Sequence, residues 1–298
     1  MRFVSMIQPG GKRLLDSGRY LGRAVSRLRA PGLHLNLSSY RQGQSLATHA
    51  HRNAHFCLVM DGAYTERIEG RSLDRKPADL MFYPPGVSHS ETHRSAGRHF
   101  LIEIDPDLFG KFGDSRPCLD TPVAFAGGRT GWTAVRLYRE FRTRDRFSAL
   151  SMEGLVLELL AETLRSSVRA NSSGSVSSPG ADGHHPPWLD RAEEILRTRF
   201  VEPPGLAAIA AELGIHPVHL ARRFRRRFGC TAGEYVRRLR LERAERQLIG
   251  SDRPVGAIAH DAGFFDQSHF TRLFRRKTGL APGRYRKLFR NGSSRPNG

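Results

Sequence analysis

Four histidines in the N-terminal half have residue types and spacing suited to metal binding. His49 and His51 are two residues apart, and His55 and His89 follow. In a β-strand, residues i and i+2 point to the same face, so a strand here presents the first two imidazoles together. Imidazole nitrogens are ligands for Zn, Fe, Ni and Cu, and three histidines with an open position also suit a catalytic metal. The histidines therefore predict a bound divalent metal or, alternatively, polar pocket or turn residues without one.

The spacing around these histidines resembles that of the cupin motifs. The stretch 43–62 follows G-x5-HxH-x3-E-x6-G, and 84–93 follows P-x-G-x2-H-x3-N. His55 stands where the motif has Glu, and His93 stands where it has Asn. The resemblance implies a small β-barrel with the ligands inside it. Related sensor barrels can retain the HxH pair without metal.

Short β-like segments surround the histidines and predict the strands that position them. Candidate strands are 33–37, 56–60, 80–83 and 100–104, separated by turn-forming pairs such as Asp61-Gly62. Several short strands at close spacing predict a small barrel or sandwich. Two amphipathic helices follow within 131–169, and Leu155, Leu159 and Leu160 predict an apolar face. That face either packs on the barrel or forms a dimer seam.

The C-terminal third contains an internal repeat with a period of about 50 residues. His219-Leu-Ala-Arg-Arg-Phe-Arg-Arg-Arg-Phe-Gly229 aligns with His269-Phe-Thr-Arg-Leu-Phe-Arg-Arg-Lys-Thr-Gly279. In each copy a short helix ends at a glycine, Gly214 or Gly263, and an Arg-rich second helix follows. Each copy therefore predicts a helix-turn-helix, and 232–248 predicts a helix that joins the two.

The second helix of each copy carries side chains suited to reading DNA. Arg pairs bidentately with guanine and Gln with adenine in the major groove. Arg222 and Arg272 occupy equivalent positions, and Gln267 begins the second recognition helix. Arginines further along each helix suit phosphates. These residue types predict DNA binding by Arg222, Arg226, Gln267, Arg272 and Arg276.

This region closely resembles the AraC family of bacterial transcription regulators. The resemblance rests on the run 233–244, on Gly263-Phe264, on the run 266–275 and on Tyr285-Arg286. It implies that Val218, Ala221 and Arg222 face bases from the first unit, and that Gln267, Ser268, Thr271 and Arg272 do so from the second. The predicted DNA-binding residues are therefore Val218, His219, Ala221, Arg222, Arg226, Gln267, Ser268, Thr271, Arg272 and Arg276. It also implies a cupin-like sensor barrel at the N-terminus.

One departure from the family pattern lies at the start of the second recognition helix. The family usually has a Ser cap there, whereas this chain has Phe265. We expect Asp266 to cap the helix instead, since loss of a cap costs about 1 kcal/mol.

The predicted fold class is α+β with two domains. A cupin-like barrel with a C-terminal helix pair occupies 1–170, and an all-α domain with two helix-turn-helix motifs and a linker helix occupies 188–290. Ser, Gly and Pro dominate 171–187, which predicts a flexible linker.

Composition limits the class of protein further. The 298 residues carry a net charge of +19, which favours binding to polyanions, and residues 184–298 hold 23 Lys/Arg against 11 Asp/Glu. No apolar run predicts a membrane span, and the three cysteines form no CxxC pair. We expect a cytoplasmic bacterial protein with no membrane partner and no catalytic residues.

These observations predict a sequence-specific transcription regulator. Double-stranded operator DNA, an unknown small-molecule or metal effector in the barrel, a homodimer and RNA polymerase are the expected partners. The resemblance favours activation. The alternatives are a cupin-type metal-dependent enzyme fused to a DNA-binding module, and an architectural DNA binder without an effector.

Overall fold

The computed structural model describes residues 7–8, 12–110, 119–173 and 186–290. They form two compact units, one mainly from residues up to 173 and the other mainly from residues after 186. The predicted linker 171–187 is partly wrong, because residues 171–173 are helical and Pro187 begins a helix. Its residues 174–185 lie outside the described residues.

Twelve described strands form two six-stranded sheets in the N-terminal unit. Their bounds are β1 Ile7–Gln8, β2 Lys12–Leu15, β3 Arg23–Ala30, β4 Leu33–Tyr40, β5 Ser45–His51, β6 His55–Asp61, β7 Tyr64–Ile68, β8 Arg71–Arg75, β9 Asp79–Tyr83, β10 His89–His93, β11 Gly97–Ile104 and β12 Val123–Ala126. The first sheet has the order β1-β2-β5-β10-β7-β8, and the second has β12-β9-β6-β11-β4-β3. All pairs are antiparallel except β2 with β5. The four predicted strands are confirmed as parts of β4, β6, β9 and β11.

Strand β6 shows how the second sheet separates its two faces. All seven of its residues are buried, because both of its faces are covered. Phe56 packs against Phe82 across the β6–β9 pair, on the same face as Phe100, which contacts a helix described next. With the two-residue period of a strand, His55 and Cys57 must point the other way, into the space between the sheets.

Three helices are described between residues 106 and 173: α1 Pro106–Gly110, α2 Gly128–Thr143 and α3 Ser148–Ser173. Phe100 meets Tyr138 and Phe141 of α2 at ring-centroid distances of 5.2 and 5.0 Å. The helix pair predicted within 131–169 is thus confirmed, and it packs on the outer face of the second sheet.

The predicted dimer seam is wrong. Leu155, Leu159 and Leu160 are buried within the unit, with 6%, 0% and 0% of their surface exposed. A different stripe of α3 faces outward at alternating spacings of four and three residues. This α3 stripe consists of Leu150, Gly154, Leu157, Ala161, Leu164 and Val168, none of which is buried. Periodicity missed it because α3 is apolar on both sides.

Seven helices are described after residue 186. They are α4 Pro187–Thr198, α5 Leu206–Glu212, α6 Pro217–Phe228, α7 Ala232–Gly250, α8 Val255–Asp261, α9 Gln267–Thr278 and α10 Pro282–Arg290. This order confirms two short-helix and long-helix pairs joined by α7. Among the helices described in either unit, none is both long and apolar enough to cross a membrane.

Candidate functional sites: the barrel interior and the repeated helices

Three of the four predicted histidines converge between the two sheets. His49 of β5 lies directly opposite His89 of β10 in the strand register, and their ring centroids are 4.3 Å apart. His51 shares the face of His49, and one ligand nitrogen from each of the three lies within 4.8 Å of the others. His55 comes from the second sheet, with its ring 4.3 Å from that of His51, but it lies beside this three-nitrogen group. We call these four side chains the histidine cluster.

Burial keeps the histidine cluster uncharged at neutral pH. Desolvation, reinforced by the neighbouring His89, lowers the pKa of His49 to about 4, and burial lowers that of His55 to about 3. Burial also lowers the pKa of His51 and of His89. Neutral imidazoles do not repel one another and keep a lone pair for a metal.

The orientation of His49 leaves that lone pair available. Its Nδ1 lies 2.9 Å from the carbonyl oxygen of Ala47, which can only accept, so Nδ1 carries the proton. The Nε2 atom of the neutral ring is then the acceptor. A backbone carbonyl that fixes the tautomer in this way is typical of metal-binding histidines.

A buried carboxylate lies next to the cluster, which the sequence motifs did not reveal. Glu91 Oε1 is 3.8 Å from His89 Nε2, and Glu91 Oε2 is 3.0 Å from His93 Nε2. Burial alone would raise the pKa of Glu91, but the bond to His93 and the nearby imidazoles lower it to about 2. The His93 ring stacks on Tyr40, and its Nε2 is bonded to Glu91. His93 therefore contacts Glu91 and is not one of the three converging imidazoles.

The free space among these side chains is small. It amounts to about 10 Å³ for the centre of a water-sized sphere, and its lining includes the histidine cluster, Tyr20, Tyr83 and Glu91. That volume accommodates one water or one ion and no larger molecule. The chemistry and the size of this space therefore both suit a single metal ion.

A second group of candidate metal ligands, His34, Glu103 and Asp105, has another explanation. Glu103 accepts hydrogen bonds from the backbone N–H of Gly18 at 2.9 Å, from the Tyr20 hydroxyl at 2.7 Å and from the Asn53 amide at 2.8 Å. This carboxylate holds the segment 17–20 against the sheet.

The first helix-turn-helix is formed by α5 and α6. Gly214 has a φ of +66°, and the chain reverses there as the N–H of Ile215 bonds to the carbonyl of Ala210. Leu220 and Phe224 of α6 are fully buried in a core shared with α5. The opposite face of α6 is exposed and carries the predicted residues Val218, His219, Ala221, Arg222 and Arg226.

The second unit repeats this geometry in α8 and α9. Gly263 has a φ of +85°, and a Cβ there would meet the carbonyl oxygen of Val201 at 2.7 Å, so glycine is required twice over. Phe270 and Phe274 are fully buried. Of the predicted DNA-binding residues, Gln267, Ser268, Arg272 and Arg276 are exposed, and Thr271 is half-buried.

The replacement cap expected for α9 is confirmed. Asp266 directly precedes the helix, and its Oδ1 accepts a hydrogen bond from the backbone N–H of His269 at 2.6 Å. Phe265 is 94% exposed and contributes nothing to the local core. The chain thus moves the capping function one residue later and leaves an apolar ring at the tip of the turn.

Helix α4, which sequence periodicity missed, packs against the first helix-turn-helix motif. Leu189, Ala192, Ile195 and Leu196 join the core of α5 and α6. Trp188 meets the ring of His219 edge-on at 5.5 Å. His219 is therefore part of a contact with α4 as well as part of the exposed face of α6.

Helix α7, which joins the two helix-turn-helix motifs, is capped at its start. Thr231 and Glu234 form a reciprocal capping box, in which the Glu234 N–H bonds to Thr231 Oγ1 and the Thr231 N–H bonds to Glu234 Oε2. Arg240 donates to the carbonyl oxygens of Phe200 and Val201 at 2.8 Å each. The connecting helix therefore also anchors the loop that follows α4.

The arginines of the recognition helices are free to bind an anion. Among the described residues, Arg222 and Arg226 of α6 and Arg272 and Arg276 of α9 are exposed and form no ion pair with a carboxylate. Exposed guanidinium groups without internal partners suit base edges and phosphates.

Two helix-turn-helix units joined by one helix, in a chain that also contains a β-barrel, define a ligand-responsive transcription regulator. Residues 36–164 match the AraC-like ligand binding domain, and residues 209–288 match a helix-turn-helix domain. The chain belongs to the AraC family of transcription regulators.

Three curated relatives illustrate this membership. The chain is 34% identical over 245 residues to the HTH-type transcriptional regulator YijO of Escherichia coli K12, covering 78% of this chain and 80% of that protein. It is 29% identical over 242 residues to the transcriptional activator NphR of a Rhodococcus species, covering 78% and 69%. It is 23% identical over 244 residues to the arabinose operon regulatory protein of Escherichia coli K12, covering 77% and 78%.

Proposed function

We propose that this regulator activates transcription by reading two successive major grooves with α6 and α9. The observation that carries the proposal is the equivalence of Arg222 and Arg272, which are both exposed at the same position of a repeated helix. Helix α7, which joins the two motifs, has 19 residues and is about 28 Å long, and successive major grooves lie about 34 Å apart, so the connecting helix is of a length that suits two successive grooves. The relative NphR is named as an activator, which supports activation and contact with RNA polymerase here.

The testing experiment is selection of genomic DNA fragments by the purified full chain at physiological salt. Enrichment of a motif with two blocks about one helical turn apart supports readout by both helices. Retention without sequence preference contradicts it, because the +19 charge alone would then account for binding.

We further propose that the histidine cluster binds one divalent metal. The support is the donor set: three buried neutral imidazoles converge, and His55 and Glu91 lie at their edge. His49, His51 and His89 would hold the ion, which would supply a fixed positive charge that links β5 to β10. His55 is placed to serve as a fourth ligand or to orient His51.

A homodimer through the α3 stripe is the third part of the proposal. Leu150 is 75% exposed, Leu157 37% and Val168 54%, which is unfavourable for an isolated helix face. The spacing of four and three residues is that of a coiled-coil seam. Gly154 and Ala161 alternate with the leucines and allow close approach of a second copy.

The fused-enzyme alternative makes a different prediction for effector titration. A regulator changes its occupancy of DNA and leaves the compound intact, whereas an enzyme consumes it. The relatives are regulators, and the changed ligand at His55 favours binding over turnover.

A further inference from the structure

A second and larger pocket lies between the segment 17–20 and strands β3 and β4, and it shares Tyr20 with the space around the histidine cluster. Its volume is about 490 Å³, within the range of small-molecule sites. It is lined by Ser17, Gly18, Arg19, Tyr20, Arg27, Leu28, Arg29, His34, Leu35 and Asn36. Three of these side chains are guanidinium groups, one is an imidazole and none is a carboxylate.

The strand register brings the polar side chains of this pocket to one face. Arg27 pairs with Asn36 and Arg29 with His34 across β3 and β4, and paired residues of antiparallel strands share a face. The same face of β4 adjoins Glu103 of β11, whose partner in β6 is His55, so it is the barrel side of the sheet. Residues two apart on one strand lie about 7 Å from each other, so Arg27 and Arg29 can converge on a single anion.

Arg23 of the same strand points the other way. A register shift between Ala24 and Ser26 interrupts the alternation, and Arg23 pairs with Ser39. Arg23 is exposed and does not line the pocket. It therefore provides a matched control of the same residue type on the same strand.

The opposite wall of the pocket is held in place by the buried carboxylate of Glu103. Glu103 binds the Gly18 N–H and the Tyr20 hydroxyl, while Ser17 Oγ lies 3.0 Å from His34 Nδ1. Glu103 is thus engaged with the segment 17–20 and does not neutralise the arginines. Among the described residues, Arg27 and Arg29 form no ion pair, and Arg27 Nε makes only a long bond of 3.4 Å to Asn36 Oδ1.

We propose that this pocket binds the effector and that the effector is a small organic acid. Arg27 and Arg29 hold its carboxylate, because a guanidinium group binds a carboxylate through two parallel hydrogen bonds. Asn36 and Ser17 offer further polar contacts, and the Tyr20 ring offers an apolar one. This inference rests on the proposed function, since it names the ligand class of that regulator.

Tyr20 connects this pocket to the histidine cluster. Its side chain lines both spaces, and its ring lies 5.8 Å from that of His51. An acid bound between β3 and the segment 17–20 holds that segment closed over the cluster. The two sites are therefore adjacent and share Tyr20, but they have separate chemistry.

The test is calorimetric titration of the full chain with a series of monocarboxylic acids from acetate to phenylacetate and decanoate, each compared with its primary amide. We expect saturable binding of at least one acid, weakened by salt, and at least about tenfold weaker binding of its amide. Arg27→Met and Arg29→Met are expected to weaken acid binding by about tenfold or more, and Arg23→Met to leave it unchanged. Equal binding of acid and amide, an equal loss in the Arg23 variant, or no saturable binding of any acid overturns the proposal.

Selection of DNA by the same proteins separates this inference from the proposed function. If the wild-type chain selects a DNA motif but binds no acid, only the present inference fails. If it binds the acid without any motif selection, the regulator mechanism fails and the anion pocket stands. If it does both but the acid leaves DNA occupancy unchanged, the pocket is not the effector site.

Discussion

His49 and His89 face each other across the β5–β10 ladder with their ring centroids 4.3 Å apart. Forty residues separate them along the chain, and only the strand register brings them together. Both rings are buried and have a lowered pKa, so two adjacent imidazoles stay neutral and present lone pairs at neutral pH. This pair is the centre of the proposed metal site.

Removal of His89 is expected to abolish metal binding. Loss of a group that orients a metal ligand typically reduces metal affinity about 10–100-fold, and loss of a direct ligand should reduce it further. We expect one Zn²⁺ per wild-type chain, a reduction within that range for His55→Gln, and a greater loss for His89→Gln. Equilibrium dialysis followed by metal analysis measures this. His34→Gln is the control, and a metal-free wild-type chain would show that the cluster is only a polar core.

Arg272→Ala should relax one base preference in the operator. A bidentate base contact is worth about 1–3 kcal/mol of discrimination, and Arg272 is exposed near the start of α9. Arg276→Ala should instead weaken binding to all sequences alike and reduce the salt dependence. Binding to the selected motif and to its single-base variants distinguishes the two. A uniform loss for Arg272→Ala would reassign this residue to a phosphate.

Asp266→Ala should loosen the start of α9. The variant loses the hydrogen bond from Asp266 to the His269 N–H, which is worth about 1 kcal/mol. Amide hydrogen exchange in the first turns of α9 should then be about fivefold faster if local opening controls it. Asp266→Asn keeps an acceptor and should exchange at nearly the wild-type rate. Equal rates in all three proteins would mean that the cap does not limit opening.

Leu157→Glu should shift the protein from dimer to monomer. Leu157 is in the middle of the α3 stripe and 37% exposed, so a carboxylate there places like charges at the seam without disturbing the core. Leu73→Glu replaces a similarly exposed leucine of β8, 36% exposed, and should leave association unchanged. Sedimentation velocity measures both, and a Leu157→Glu protein that remains dimeric contradicts the proposed interface.

His99 should make the N-terminal unit less stable in acid. Burial lowers its pKa to about 4 from an ordinary value of 6.5, although Glu91 opposes this shift and His93 adds to it. The Tyr40 and Tyr64 rings flank it. Below pH 6.5 the His99 imidazole binds a proton in the unfolded chain, whereas in the native protein it stays neutral down to about pH 4. The free energy of unfolding therefore falls as the pH drops, until the loss levels off below about 4.

The size of this effect is on the order of 2 kcal/mol between pH 7 and pH 5. His99→Gln removes it, so this variant should lose less stability than wild type over the same interval. Urea unfolding in a Trp188→Phe background measures it, because Trp132 of α2 then reports on the N-terminal unit alone. Parallel pH profiles for the two proteins would show that His99 does not contribute.

The sequence by itself determined the helix-turn-helix pair and much of the barrel. Gly214, Gly263 and the buried phenylalanines at four-residue spacing act on their near neighbours, so the local pattern was enough to predict α5, α6, α8 and α9. The alternation within residues 33–37 of β4 and the short apolar runs of β6 and β11 likewise depend on adjacent residues. The capping role of Asp266 was predictable for the same reason.

Only the tertiary structure decided which faces meet. Both sides of α3 are apolar, and packing of Leu155, Leu159 and Leu160 inside the unit left the α3 stripe outside. Strand register placed Glu91 beside the histidines, and a bulge in β3 directed Arg27 and Arg29 inward while Arg23 faces out. These outcomes depend on contacts between residues far apart in the chain, which local periodicity does not encode.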